Sequence, residues 1–152
     1  MTGAISVRIA PVMFSAILPS TRERRRHMRA VTAIGDAINR RDWDAARSLI
    51  TPDFTMADQF GNEVVGAEEF LSSLLDFYKV AGDPKLVFDS IDPNREEVLV
   101  RGHLEDTTSN VRSATMWRFL FEGPLISRIE VTRANNEMTL PRFATARRAT
   151  AN

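Results

Sequence analysis

The sequence predicts an α+β domain, a cone-shaped roll in which three N-terminal helices pack on a strongly curved, mostly antiparallel sheet. Three observations carry this. Apolar residues recur at helical spacing in the first half, at Val31, Ile34 and Ile38 and again at Phe70, Leu74, Phe77 and Tyr78. The period then changes to two over residues 85 to 133, broken by the turn sequences "DPNRE", "TTSN" and "EGP". Helices gathered before the strands, rather than alternating with them, segregate to one side of an antiparallel sheet.

Residues 1 to 20 show no convincing period, and Met28 opens the first well-patterned segment, so residues 1–27 are expected to be a flexible extension. The apolar run "IAPVMFSAIL" at 9 to 18 has about the length of a secretory core. Only Arg8 precedes it, however, and "RERRR" follows in place of a small-residue cleavage site. No apolar run approaches a membrane span. The expectation is therefore a cytoplasmic chain with no membrane partner.

The first helix is expected over about 22 to 41. Asp42 then caps a short second helix, "WDAARSLI", with Trp43, Ala46, Leu49 and Ile50 on one side, and Thr51-Pro52 stops it. A strand follows through Phe54 and Met56 to Asp58. Asp58-Gln59-Phe60-Gly61 suits a type I turn, with Asp first and Gly fourth, and Val64-Val65 leads away. Past Gly66, "AEEFLSSLLDFYKVA" places Glu68 and Glu69 at the positive end of a third helix, which Gly82-Asp83-Pro84 ends. Strands are expected at 85–91, 97–106, 111–121 and 125–133, the last three as a meander. From Asn135 the chain loses period, so residues 28–134 form the body and 135–152 a C-terminal tail. Residues 1–20 and 145–152 are expected to be dispensable for folding.

Composition narrows the chemistry. The chain has 152 residues and no cysteine, which removes disulfides, thiol nucleophiles and thiolate metal sites. Its net charge of zero hides an asymmetry. Residues 30 to 140 hold 19 of the 20 acids and 11 of the 20 bases, a net charge of −8, while the flanks are correspondingly basic. An acidic body argues against a nucleic-acid partner, because phosphate contacts need clustered Lys or Arg. His27 belongs to the extension. His103 shares a strand face with Arg101 and Glu105, opposite Val100, Gly102 and Leu104, and is expected on an outer face. No metal site, phosphate cradle or Ser/His/Asp triad is indicated, and no cofactor is expected.

The stretches "AINRRDWDAARSLITPDFTMAD", "VVGAEEFLSSL" and "MWRFLFEGPLISRIEV", in this element order, resemble the nuclear transport factor 2-like superfamily over roughly residues 28 to 134. That superfamily includes SnoaL-like polyketide cyclases and ketosteroid isomerases. The resemblance implies a cone whose mouth admits a small apolar organic ligand, and a homodimer formed through the outer sheet face. Set beside a ketosteroid isomerase, residues 34 to 61 match without a gap, and Asp58 falls at the general base. The oxyanion-hole positions become Ile34 and Thr115, and a supporting tyrosine falls near Leu74. Each lost donor costs about 2.7–4 kcal/mol of barrier, so steroid isomerisation by that route is not expected.

Alternation on "SATMWRFLF" sets Thr115, Trp117, Phe119 and Phe121 on one face, and Ala114, Met116, Arg118 and Leu120 on the other. The resemblance assigns the first face to the cone interior. The matching phase on the last strand turns Arg128, Glu130 and Thr132 inward and Ile129 and Val131 outward, against their hydrophobicity. A dimer covering the outer face would reconcile the two. The expected pocket lining is thus Ile34, Phe54, Met56, Phe60, Leu74, Val100, Leu104, Thr115, Trp117, Phe119, Arg128 and Glu130.

Two functions follow. One is a cofactor-independent isomerase, cyclase or dehydratase acting on a small carbonyl or polycyclic compound, with Asp58 as base. The alternative is a non-catalytic dimeric ligand-binding or assembly module. The carboxylate of Asp58 separates them: apolar walls would raise its pKa, whereas a turn role would leave it unshifted or lowered. Its strand-end position favours the pocket placement.

Overall fold

The computed structural model describes residues 20–105 and 113–151. The expected extension up to residue 19 and the "TTSN" turn lie outside the described residues. Helix α1, Thr21–Arg40, begins within the stretch expected to be extension. The reason is local: the Ser20 hydroxyl accepts the Glu23 amide at 3.1 Å, the pattern of a capping box. The His27 ring stacks on Phe121 at 3.9 Å and reaches the Gly123 carbonyl, which anchors the first turns to the distant 123 turn. Further along, Val31, Ile34, Ala37 and Ile38 are buried.

Arg41 ends α1 in the left-handed region (φ 61°) and joins three segments. Its guanidinium pairs with Asp83, donates to the carbonyls of Ile38 and Pro84, and lies 4.6 Å over the Tyr78 ring. Helix α2, Trp43–Ser48, is capped by Asp42, whose carboxylate accepts the Ala45 amide at 3.1 Å. Strands β1 (Ile50–Asp58) and β2 (Glu63–Val65) follow, then α3 (Ala67–Val80). The remaining strands are β3 (Lys85–Asn94), β4 (Glu97–Glu105), β5 (Thr115–Glu122) and β6 (Leu125–Arg133).

The six strands form one sheet in the order β2-β1-β6-β5-β4-β3. All neighbours are antiparallel except β1 and β6, which run parallel. The helices cover its inner face, and Phe54, Phe70, Phe119, Ile34 and Ile126 are fully buried there. Asn39 ties α1 to the sheet like an extra strand residue, donating to the Leu86 carbonyl and accepting its amide, both at 2.8 Å. Where β3 carries an extra residue at Asp89, β4 has Gly102 beside it. A Cβ on Gly102 would sit 1.9 Å from the Val87 carbonyl oxygen, so no side chain fits.

The phase expected for β6 is overturned. Phe121 faces Ile126 but Leu120 faces Arg128, so Ser127 is an extra residue in the hairpin. Beyond this bulge Ile129 lies opposite Phe119 and Val131 opposite Trp117, and both turn inward, 4% and 3% exposed. Counting back from the turn without the bulge gives the opposite answer, because one residue of slip exchanges the faces. Arg128 and Glu130 therefore lie outside. Arg118 pairs with Glu97 and with Glu130 (2.8 Å), and Arg128 with Glu130 (3.2 Å) and Glu63 (3.5 Å). The outer face thus carries an ion-pair network in place of Ile129 and Val131, with Met116 exposed on it.

The C-terminal tail is also ordered differently from the expectation. After a 3-10 turn at Ala134–Asn136, helix α4 spans Leu140–Ala151 and lies against α3, β1 and β2. Its Arg147 reaches Asp76, Glu69 and Ser73 of α3, Arg148 donates to the Glu63 carbonyl, and the Phe143 ring meets Phe77 edge-on at 5.4 Å.

Two outcomes are expected. Gly102→Ala should cost about 3 kcal/mol or more, since backbone rather than a flexible side chain must move; urea denaturation measures it. Deleting residues 145–152 should lower the melting temperature by about 3 °C or more through loss of the Arg147 and Arg148 contacts, read by calorimetry.

Candidate functional site

A cavity of about 60 Å³ lies inside the cone, between α1, α3, the sheet and the segment Met138–Leu140. Seven of the expected residues meet there: Ile34, Met56, Leu74, Leu104, Thr115, Trp117 and Phe119. Phe54 and Val100 are fully buried in the core and do not line it. Phe60 sits on the β1–β2 turn, 55% exposed, and Arg128 and Glu130 belong to the outer network.

Several lining residues escaped sequence reasoning. Phe88 meets Trp117 edge-on at 5.3 Å and Phe119 at 6.4 Å, which narrows the cone from the β3 side. Alternation through Leu86 and Phe88 was the available signal. Met138 and Leu140 were hidden because the segment after Asn135 has no apolar period. Tyr78 also lines the cavity; burial pushes its phenol pKa up, so it stays neutral.

Asp58 ends β1 but its carboxylate does not line this cavity. One oxygen, Oδ1, accepts the amides of Phe60 (2.9 Å) and Asn62 (3.0 Å). The other, Oδ2, accepts the Asn62 side-chain amide (2.9 Å) and the Thr139 hydroxyl (2.7 Å). Thr139 is 1% exposed, and its hydroxyl in turn accepts the Arg142 amide at 3.1 Å, capping α4. Partial burial pushes the Asp58 carboxyl up. The bonds from the Asn62 side chain, Thr139, and the Asn62 and Phe60 amides outweigh this and hold it below its ordinary value. The expected raised pKa is thus overturned. All of these bonds favour the ionised form, and an acceptor already holding four donors is poorly placed to take a ligand proton.

A cationic group does reach the cavity. Arg133 ends β6 opposite Thr115, on the inner face. Its Nη1 donates to the Met138 carbonyl at 2.6 Å, while its Nε is buried without a partner. Burial pulls its pKa down, with Glu137 as the opposing charge, and the guanidinium remains protonated at neutral pH. Thr115 spends its hydroxyl proton on the Ser113 carbonyl at 3.1 Å. On the outer face the His103 ring lies 3.2 Å from the Asp89 carboxylate. Among the described residues no three His, Asp or Glu side chains converge to hold a metal.

A family model described as a SnoaL-like domain matches residues 31–129. No curated protein matches the sequence. Solved structures similar to this one include a "putative ketosteroid isomerase" from Kribbella flavida, 16% identical, with a TM-score of 0.66 over 76% of this chain and 82% of that one. Another is a SnoaL-like protein of unknown function from Burkholderia thailandensis, 14% identical, with a TM-score of 0.64 over 77% of this chain and all of that one. A third is a "putative polyketide cyclase" from Sinorhizobium meliloti, 20% identical, with a TM-score of 0.61 over 67% and 92% of the two chains.

Asp58→Asn tests the role of the carboxylate. At neutral pH it should destabilise the fold by about 1–3 kcal/mol, because hydrogen bonds to a charged acceptor are lost. The folded carboxyl titrates below the ordinary value of 3.8, so the wild-type contribution is complete above that pH and disappears as pH falls through the folded pKa. The stability curves of the wild type and the Asp58→Asn variant should therefore converge below about pH 4, as measured by chemical denaturation across pH.

Proposed function

The chain belongs to the SnoaL-like domain family of the nuclear transport factor 2-like superfamily, and from that premise we propose that it is a non-catalytic small-molecule-binding module. Its cone holds a compact ligand with an apolar body, and Asp58 pins the C-terminal helix across the cone instead of abstracting a proton. The observation that carries this reading is the saturation of the Asp58 carboxylate by Phe60, Asn62 and Thr139, away from the cavity. The positions matching the oxyanion hole, Ile34 and Thr115, support it. Ile34 has no donor, and Thr115 has committed its proton elsewhere.

Size sets the ligand class. A cavity of about 60 Å³ is well below the roughly 150 Å³ of an engineered apolar cavity that holds benzene. Steroids and polycyclic compounds, suggested by the names of the structural neighbours, do not fit a space of this size. On the same scale, six non-hydrogen atoms to roughly 150 Å³, it encloses about two or three carbon-sized atoms, enough for the short tail of a small ligand. One chain supplies all the walls named above, so the proposed binding does not require the homodimer.

Xenon is the simplest probe of such a space. Xenon pressure should produce saturable NMR shifts at the Trp117 indole and the Phe88 ring. Absence of saturable shifts at these rings would defeat the cavity reading.

A further inference from the structure

We propose that the ligand is a short-chain monocarboxylate, its carboxylate held by Arg133 at the neck of the cone and its aliphatic tail in the apolar cavity. The inference rests on the cavity reading above and adds the recognition element to it. Arg133 lies where two spaces meet. It lines the inner cavity and also an open surface groove of about 390 Å³ that includes Val80, Pro84, Glu137 and Phe143. Phe77, Leu104 and Met138 line both spaces, so these three residues and Arg133 stand at the boundary between them, the neck of the proposed site.

The guanidinium is incompletely satisfied there. Nη1 is occupied by the Met138 carbonyl, whereas the buried Nε has no acceptor. Among the described residues no ion pair compensates Arg133, although other arginines of the chain, at 41, 47, 118, 128 and 147, each have a carboxylate within pairing distance. A half-buried cation whose Nε–H is shut away from water without an acceptor is costly to keep unless something completes the guanidinium. The complement is an oxygen acceptor, and a charged one, because a carboxylate both accepts from Nη2, which has no hydrogen bond among the described residues and is not buried, and neutralises the guanidinium in a charge-assisted bond. A neutral amide or alcohol does only the first. The geometry on the inner side requires the rest of the molecule to be apolar and short: Phe88, Trp117 and Leu86 line the space, and it admits only a few carbons. Glu137 beside the neck disfavours a second carboxylate on the ligand, which limits it to a monoacid.

The test uses the full chain and three probes with the same propyl tail or its near equivalent: sodium butyrate, butyramide and n-butanol, each titrated by NMR with Trp117 and Leu104 as reporters. Butyrate should bind at least tenfold more tightly than butyramide or n-butanol. Arg133→Met, which keeps the length of the side chain and removes its charge, should weaken butyrate at least tenfold and leave xenon binding unchanged. The wild-type comparison of butyrate with butyramide decides the question even where the variant does not fold. Equal affinities for the acid and the amide, or butyrate binding unchanged in a folded Arg133→Met variant, would overturn the proposal. Xenon binding without butyrate binding overturns the assignment to Arg133 alone; failure of both overturns the cavity reading with it.

Discussion

The hydrogen bond from Thr139 to Asp58 is the interaction on which the rest of the site depends. It links residues 81 positions apart, the end of β1 and the start of α4, at 2.7 Å. Thr139 serves both sides, giving its proton to the carboxylate and receiving the Arg142 amide as the helix cap. The negative charge of Asp58 also stands at the positive end of α4. By fixing α4 there, the bond holds Met138 and Leu140 against the cavity and sets the Met138 carbonyl on Arg133. The same bond occupies the carboxylate that fold similarity would nominate as a base.

Much of the architecture was legible because its signals are local. The Asp42 cap, the apolar stripes of α1 and α3, and the alternation from Thr115 to Phe121 each depend on a few neighbouring residues, and the interior face of β5 follows from them. What escaped was non-local or rested on a single residue. Ser127 carries no mark that distinguishes a bulge from a regular strand position, yet it reverses Arg128, Glu130, Ile129 and Val131. Hydrophobicity alone pointed the right way for these four residues, and transfer of phase from the resembling family pointed the wrong way. Helix α4 escaped because polar contacts hold much of it, through Arg147 to α3 and Arg148 to β2, so its sequence shows little amphipathic period.

The site illustrates how a fold common to enzymes and binders is specialised without changing its frame. The cone, its aromatic wall and the acid at the end of β1 are all present. Within this frame, Ile34 brings no donor, the Thr115 hydroxyl gives its proton to the Ser113 carbonyl, and the α4 cap residue Thr139 donates to the acid. A positive group, Arg133, stands at the end of β6, where its buried Nε–H has no acceptor. The outer face, freed of Ile129 and Val131, carries charges arranged in alternating sign across β4, β5, β6 and β2.

The parallel pairing of β1 with β6 has a consequence for how the chain reaches this state. On a ribosome β1 emerges some seventy residues before the only strand that can fill the place between it and β5. Until then β1 and β2 make a two-strand ribbon in which β1, too, has an open edge, too small to be stable alone. The sheet therefore closes late, and closure brings together distant parts of the chain, a slow step of high contact order. Helix α4, which locks the turn after β1, is made later still. Nascent chains stalled before β6 would present the unpaired edge of β1 to chaperones or to one another, so the last thirty residues govern the yield of folded protein as well as its final shape.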